Sequence, residues 1–235
     1  GHHPWRQRLD TLLNLGVRAG ADLVEVFLER TDHLGVLAEQ DKITSVSPSF
    51  GMGAGIRVFR SGRDGFVSTN DLSDQGLEEA LQQALAMLQL SPTSLTSDCS
   101  FDGLGRLRDY GSSKNGWLDS TPDLVSITQR LLEGTQCLQK RGQHLDVRRG
   151  SFARDWQEVL VAASDGTFAR DIRLHQSSGL SVLAADGEHR SSIARRYGST
   201  DRPDDLCSWD VDASAQEVCD SAAKMLRADY VDGGQ

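Results

Sequence analysis

The apolar positions of this chain change period several times, and each change predicts a different element. After Pro4, the residues Trp5, Leu9, Leu12 and Leu13 fall on one helical face, and Gly20 stands where that helix would end. The stretch LVEVFLER then alternates, with Val24, Val26 and Leu28 on one side and Glu25 and Glu29 on the other, the pattern of a half-buried strand. HLGVLAEQ, GAGIRVFR and GFVSTN read as further strands. Helical spacing returns between Ser73 and Gln89, carried by Leu77, Leu81, Ala84, Leu85 and Leu88.

Between Ser91 and Thr121 the period is lost. This stretch is rich in Ser, Gly and Asp and reads as a long connector, a kind of segment that tends to be functional or mobile. Thr121-Pro122-Asp123 then predicts a helix start, with Thr121 as N-cap and Pro122 in the first turn. That helix runs to the region of Arg141 and turns Leu124, Ile127, Leu131 and Leu138 inward.

The second half is strand-rich. Asp165-Gly166 separates two alternating runs and predicts a hairpin; Asp186-Gly187 repeats the device, and Asp64-Gly65 is an earlier instance. A closing helix starts near Ser214, with Glu217 completing a capping box and Ala215, Val218, Ala222 and Met225 facing inward. Hairpins join antiparallel strands, so the expected fold class is α+β, with antiparallel or mixed sheets packed by about four helices. The expected organisation is an α+β subdomain over 4–90, a connector over 91–121 and a second α+β subdomain over 122–235.

Composition narrows the function. The chain has 235 residues, 38% hydrophobic and 25% charged, which suits a soluble globular protein with a sizeable core. No apolar run approaches the roughly 18 residues of a membrane span. A net charge of −9 opposes contact with nucleic acid and acidic membranes. Cys99, Cys137, Cys207 and Cys219 form no C-x-x-C pair, so reduced thiols and a cytoplasmic location are expected.

The glycine run Gly51, Gly53, Gly55 invites a phosphate-loop reading, which its context rejects. A phosphate loop needs a helix after the glycines, and here a strand, IRVFR, follows. Glycines two apart in an extended chain share a face and admit a close neighbour. A nucleotide-binding domain would rest on that run alone. His33, His144, His175 and His189 are isolated, no H-E-x-x-H occurs, and no Ser sits in a G-x-S-x-G elbow. Arg190, Arg195, Arg196 and Arg202 read as a solvated strand face paired with surrounding acids, with phosphate or peptide-carboxylate binding as the competing reading.

Two blocks carry a resemblance. GADLVEVFLER, followed by ITSVSPSFGMGAGIRVFRSGRDGFVSTNDLS and an Ala/Leu-rich helix, resembles the start of the TldD/PmbA family. EVLVAASDGTFARDIRLHQSSGLSVLAADGEHR resembles that family's second block, and RRYGSTDRPDDL with AKMLRADYV is more similar to the TldD side than to the PmbA side.

The resemblance implies a soluble metallopeptidase system, long labelled a modulator of DNA gyrase. TldD-type subunits carry a His-Glu-x-x-x-His helix and a later Cys that bind a metal, taken as zinc. The metal would polarise the scissile carbonyl and acidify its bound water, with the Glu as base. PmbA-type subunits lack the metal site, and the two pair into a hollow dimer that admits unfolded peptide. No His-Glu-x-x-x-His occurs in this sequence, so no catalytic or metal-binding residue is carried over and no cofactor is expected in this chain. The expectation is that zinc belongs to a C-terminal half beginning about where this sequence stops.

On this reading the chain is the N-terminal, non-metal-binding portion of a TldD-type zinc metallopeptidase. It forms a chamber wall and offers a strand edge to unfolded peptide, with a PmbA-type subunit or a second copy as partner. Direct nucleic-acid binding is not expected. Gly51, Gly53 and Gly55, together with Arg195, Arg196, Tyr197 and Gly198, are the candidate peptide contacts. The alternative is a non-catalytic PmbA-type subunit or a peptide-binding module.

Overall fold

The computed structural model describes residues 3–91, 101–111, 123–199 and 209–229. Its elements are α1 (Arg6–Arg18), β1 (Leu23–Glu39), β2 (Lys42–Arg60), β3 (Arg63–Thr69), α2 (Asp74–Met87), β4 (Arg108–Asp109), α3 (Leu124–Arg141), β5 (Leu145–Ala163), β6 (Phe168–Asp186), β7 (His189–Ser199) and α4 (Val211–Leu226). The fold is α+β. The described strands form a seven-stranded sheet in the order β3-β2-β1-β5-β6-β4, with β7 also paired to β6. The β2–β3 and β6–β7 pairs are antiparallel, and the short β4–β6 pair is parallel.

The chain forms two compact units, each gathered from three segments. One comprises Gly1–Thr31, Phe50–Asn115 and Gln157–Arg173; the other comprises Asp32–Ser49, Gly116–Trp156 and Leu174–Gln235. The boundaries fall inside β1, β2, β5 and β6, so these strands contribute residues to both units.

In the first unit, α1 and α2 bury Leu9, Leu13, Leu81 and Leu85 in one cluster with Val24 and Val26 of β1, Ile56 and Val58 of β2, and Phe168 of β6. The Ser73 hydroxyl caps α2 by accepting from the Gly76 N–H at 3.0 Å. Asp64-Gly65 is not a hairpin turn. It lies within β3, where Gly65 pairs with Val58, and a Cβ there would stand 2.4 Å from the Ala84 carbonyl oxygen. The glycine lets α2 lie directly on the strand backbone. The turn is Ser61-Gly62, with both φ angles positive (51° and 76°) as a two-residue hairpin of this hand requires. Asp165-Gly166 lies between β5 and β6, and Asp186 pairs with His189 across Gly187-Glu188.

Part of the expected connector is packed. Leu104 is buried in this unit's core, and Tyr110 N–H donates to the Arg170 carbonyl at 2.9 Å beside the β4–β6 pair. Residues 92–100 and 112–121 of that connector lie outside the described residues.

In the second unit, α3 and α4 bury Leu131, Leu138, Val211, Ala215 and Val218 with Val36, Ala38, Phe152, Leu180 and Val182. Asp123 is the N-cap of α3, accepting from the Val125 and Ser126 N–H groups; Thr121 and Pro122 lie outside the described residues. Helix α4 begins earlier than the capping-box reading placed it. Asp210 is its N-cap, and Ser214 is a buried helical residue that accepts from Trp209 Nε1 at 2.7 Å. Two inward assignments fail. Leu124 opens α3 and is 39% exposed, and Met225 is 53% exposed because Leu226 takes the last inward place on α4.

Candidate functional site

The glycine run sits where a strand pairing ends. β3 pairs with β2 only from Ala54 to Arg60, while β2 reaches back to Lys42. Gly51 and Gly53 therefore lie just past the last partner, Thr69, and Gly55 lies just inside it. Among the described residues, no strand other than β3 and β1 neighbours β2.

With no side chains on these three positions, one face of β2 becomes the floor of a trough of about 330 Å³. Phe27, Glu29 and Thr31 of β1 line one side, and Phe66, Ser68 and Asn70 line the other. A Cβ at Gly51 would stand 2.7 Å from Thr31 Oγ1, one at Gly53 3.1 Å from the Thr69 carbonyl oxygen, and one at Gly55 3.0 Å from the Phe66 ring. The glycines are thus needed by side chains and backbone of the flanking strands. Phe27 and Phe66 are 41% and 54% exposed, so the trough is apolar as well as open. Its charged lining residue, Glu29, accepts from the Gln157 side-chain amide of β5.

Arg195, Arg196, Tyr197 and Gly198 lie on β7 in the second unit, whereas Gly51, Gly53 and Gly55 belong to the first. Among the described strands β7 pairs only with β6, with Leu180 opposite Arg195 and Ser177 opposite Gly198. Two of the four are engaged with α4. Tyr197 packs its ring on Trp209 at 5.7 Å and directs its hydroxyl to Glu217, and Arg195 donates to the Ser221 hydroxyl at 3.4 Å. Arg196 and Gly198 are exposed. The β7 edge therefore offers backbone groups, with a cation beside them that also guards the edge.

The histidines remain apart. His33 Nδ1 meets Asp155 Oδ1 at 2.6 Å on an exposed surface, and His175 and His189 are exposed on β6 and β7. No three His, Cys, Asp or Glu side chains among the described residues gather into a group that could hold a metal. The described residues do not fit a zinc ion. Burial pushes the Cys219 thiol above its ordinary range, which disfavours a reactive thiolate.

The sequence reading missed a second concavity. A groove of about 650 Å³ is lined by Gly105–Arg108, Tyr110 and the turn Asp165–Ala169. Its signal was present as the alternation Arg106, Arg108, Tyr110 inside a segment read as structureless.

Two family domains match in order along the chain: PmbA/TldA metallopeptidase domain 1 over residues 24–88 and the PmbA/TldA metallopeptidase central domain over residues 115–226. The chain belongs to the PmbA/TldD family. TldE from Thermococcus kodakarensis is similar in structure, with a TM-score of 0.70 and 17% identity over 92% of this chain and 47% of that one. A putative modulator of DNA gyrase from Bacteroides thetaiotaomicron gives 0.74 and 15% over 96% and 51%. A putative modulator of a DNA gyrase from Thermotoga maritima gives 0.74 and 12% over 97% and 50%. At these identities the likeness shows the fold alone, and the chain spans about half the length of each. No curated protein matches. Among the described residues, no helix is long and apolar enough to cross a membrane.

Proposed function

We propose that this chain is the N-terminal, non-metal-binding part of a TldD-type zinc metallopeptidase subunit, working in the cytoplasm on unfolded peptides inside a dimeric chamber. Its role is to confine and hold the peptide while hydrolysis takes place on groups outside these residues. The observation that carries the reading is the ordered match to both PmbA/TldA metallopeptidase domains in a sequence without His-Glu-x-x-x-His.

The trough at Gly51–Gly55 supports the holding role. A glycine floor lets an extended backbone approach closely, and Phe27 and Phe66 offer apolar surface to its side chains. Main-chain pairing along an open strand edge gives affinity with little sequence preference, which suits a subunit that receives unfolded chains. The β7 edge at Arg195–Gly198 is the second candidate surface. The alternative is a non-catalytic PmbA-type subunit or a peptide-binding module.

The full-length gene product, assayed with its partner subunit, tests the reading. A His-Glu-x-x-x-His motif, one-to-one zinc and cleavage of an unfolded peptide are expected. A full-length protein without that motif and without zinc would instead be the PmbA-type subunit.

A further inference from the structure

The chain carries a net charge of −9, yet one groove in its first unit is walled by two arginines. Residues 104–110 run beside the start of β6, pair with it at Arg108 and Asp109, and are anchored at several further points. Leu104 is buried in the core and Leu107 packs against it. Asp109 meets Arg170 at 3.3 Å, and Arg170 in turn donates to Glu158 at 2.6 Å. Gly105 N–H donates to the Gly166 carbonyl at 2.8 Å, and Arg6 donates to the Leu104 carbonyl at 2.7 Å. Leu107 and Asp109 are the less exposed positions, and the alternate side chains Arg106, Arg108 and Tyr110 are exposed and line the groove.

The guanidinium groups of Arg106 and Arg108 make no ion pair with any described residue. Two like charges are thus carried by one anchored segment, where both would attract an anion in the groove. Asp165 also lines the groove, and its carboxylate accepts from the Thr167 N–H at 2.8 Å. The groove lining therefore carries two positive charges and one negative charge.

We propose that this groove is an oxyanion site, in which Arg106 and Arg108, with the Tyr110 hydroxyl, hold a single carboxylate or phosphate group. The forked donors of arginine suit either oxyanion. Asp165 repels a second negative charge, so a lone anionic group on a neutral or cationic background fits better than a polyanion. The site is independent of the peptidase reading and stands or falls separately from it.

The test is calorimetric or NMR titration of the chain at low ionic strength with two probes: inorganic phosphate and an acetylated, amidated peptide bearing one Glu. Saturable binding of at least one probe is expected, and which probe binds identifies the source of the oxyanion. R106Q/R108Q should weaken it about tenfold, a charge-assisted interaction discounted for exposure. R63Q, on the distant β2–β3 hairpin, should leave it unchanged, D165N should tighten it, and added salt should weaken it. Failure of the wild-type chain to bind either probe, or equal binding by R106Q/R108Q, would overturn the proposal.

Discussion

The ring of Phe66 on β3 leans over Gly55 on β2, so close that a Cβ at Gly55 would stand 3.0 Å from Phe66 Cε2. An aromatic side chain covering a neighbouring strand's glycine is a device for stabilising a strand that lacks side chains. Here it also closes one end of the trough. Phe66 is 54% exposed and free to swing away, so Gly55→Ala should cost about 1 kcal/mol or less, the scale of an off-rotamer side chain. Gly65→Ala differs, because its Cβ would meet the backbone oxygen of Ala84 at 2.4 Å and α2 would have to shift. That substitution should cost about 2 kcal/mol or more. Urea midpoints of the two variants check the order, and a Gly55→Ala loss equal to that of Gly65→Ala would contradict it.

Trp209 and Ser214 supply a buried prediction. The indole N–H donates to the Ser214 hydroxyl at 2.7 Å, and that hydroxyl donates onward to the Asp210 carbonyl at 2.7 Å. Ser214→Ala leaves the indole donor unpaired in the core and should cost about 1–3 kcal/mol. In a Trp209→Phe background the same change should cost clearly less, because no donor remains to be orphaned. A double-mutant cycle by chemical denaturation measures the difference.

Acid should weaken the fold in a defined window. Asp71, Asp123, Asp165 and Asp212 all titrate below the ordinary 3.8. The causes are the Ser73 hydroxyl for Asp71, the Ser126 hydroxyl for Asp123, the Thr167 N–H for Asp165 and the Arg141 guanidinium for Asp212. Because the folded values are depressed, the unfolded chain takes up protons first. The stabilisation is whole above about pH 5 and disappears as pH falls through the unfolded and then the folded values. Urea midpoints should drop between about pH 5 and pH 3, and Asp212→Asn should flatten that drop. An unchanged acid limb in Asp212→Asn would contradict the Arg141 pairing.

Much of this was legible in the sequence, and the misses have physical causes. The four helices and most of their buried stripes followed from the 3.6-residue period, and the α+β class from the Asp-Gly hairpin reading, although Asp64-Gly65 lies inside β3. The continuity of β2 was hidden because Lys42–Phe50 is largely exposed and contains Pro48, which a strand tolerates where it lacks an outer partner. Asp64-Gly65 has the composition of a turn, yet its glycine serves the close approach of α2, a tertiary demand that no local pattern records. Met225 has inward spacing, but Leu226 beside it takes the place. In the candidate site, the shared face of Gly51, Gly53 and Gly55 was visible from their spacing, whereas the walls from Phe27 and Phe66 depend on strand order. The Arg106–Arg108 wall was missed because its anchors, Arg170, Glu158 and Gly166, are far away in sequence.

Peptide contact at the trough should be sensitive to volume on its floor. Gly53→Leu fills the space between β1 and β3, so a labelled unfolded peptide should bind the full-length protein at least about tenfold more weakly, the equivalent of losing one buried apolar contact. Fluorescence anisotropy reads this directly. Arg196→Gln on β7 tests the second surface in the same assay, and unchanged binding in both variants would remove both surfaces as peptide contacts.

In the proposed subunit holding and cutting fall on different residues, and one measurement separates them. The 235-residue chain is loaded with zinc, dialysed and incubated with a labelled unfolded peptide, and bound metal and cleavage products are quantified together. The expected result is less than stoichiometric zinc and intact peptide. One-to-one zinc retained by this chain, with peptide hydrolysis by the chain alone, would contradict it.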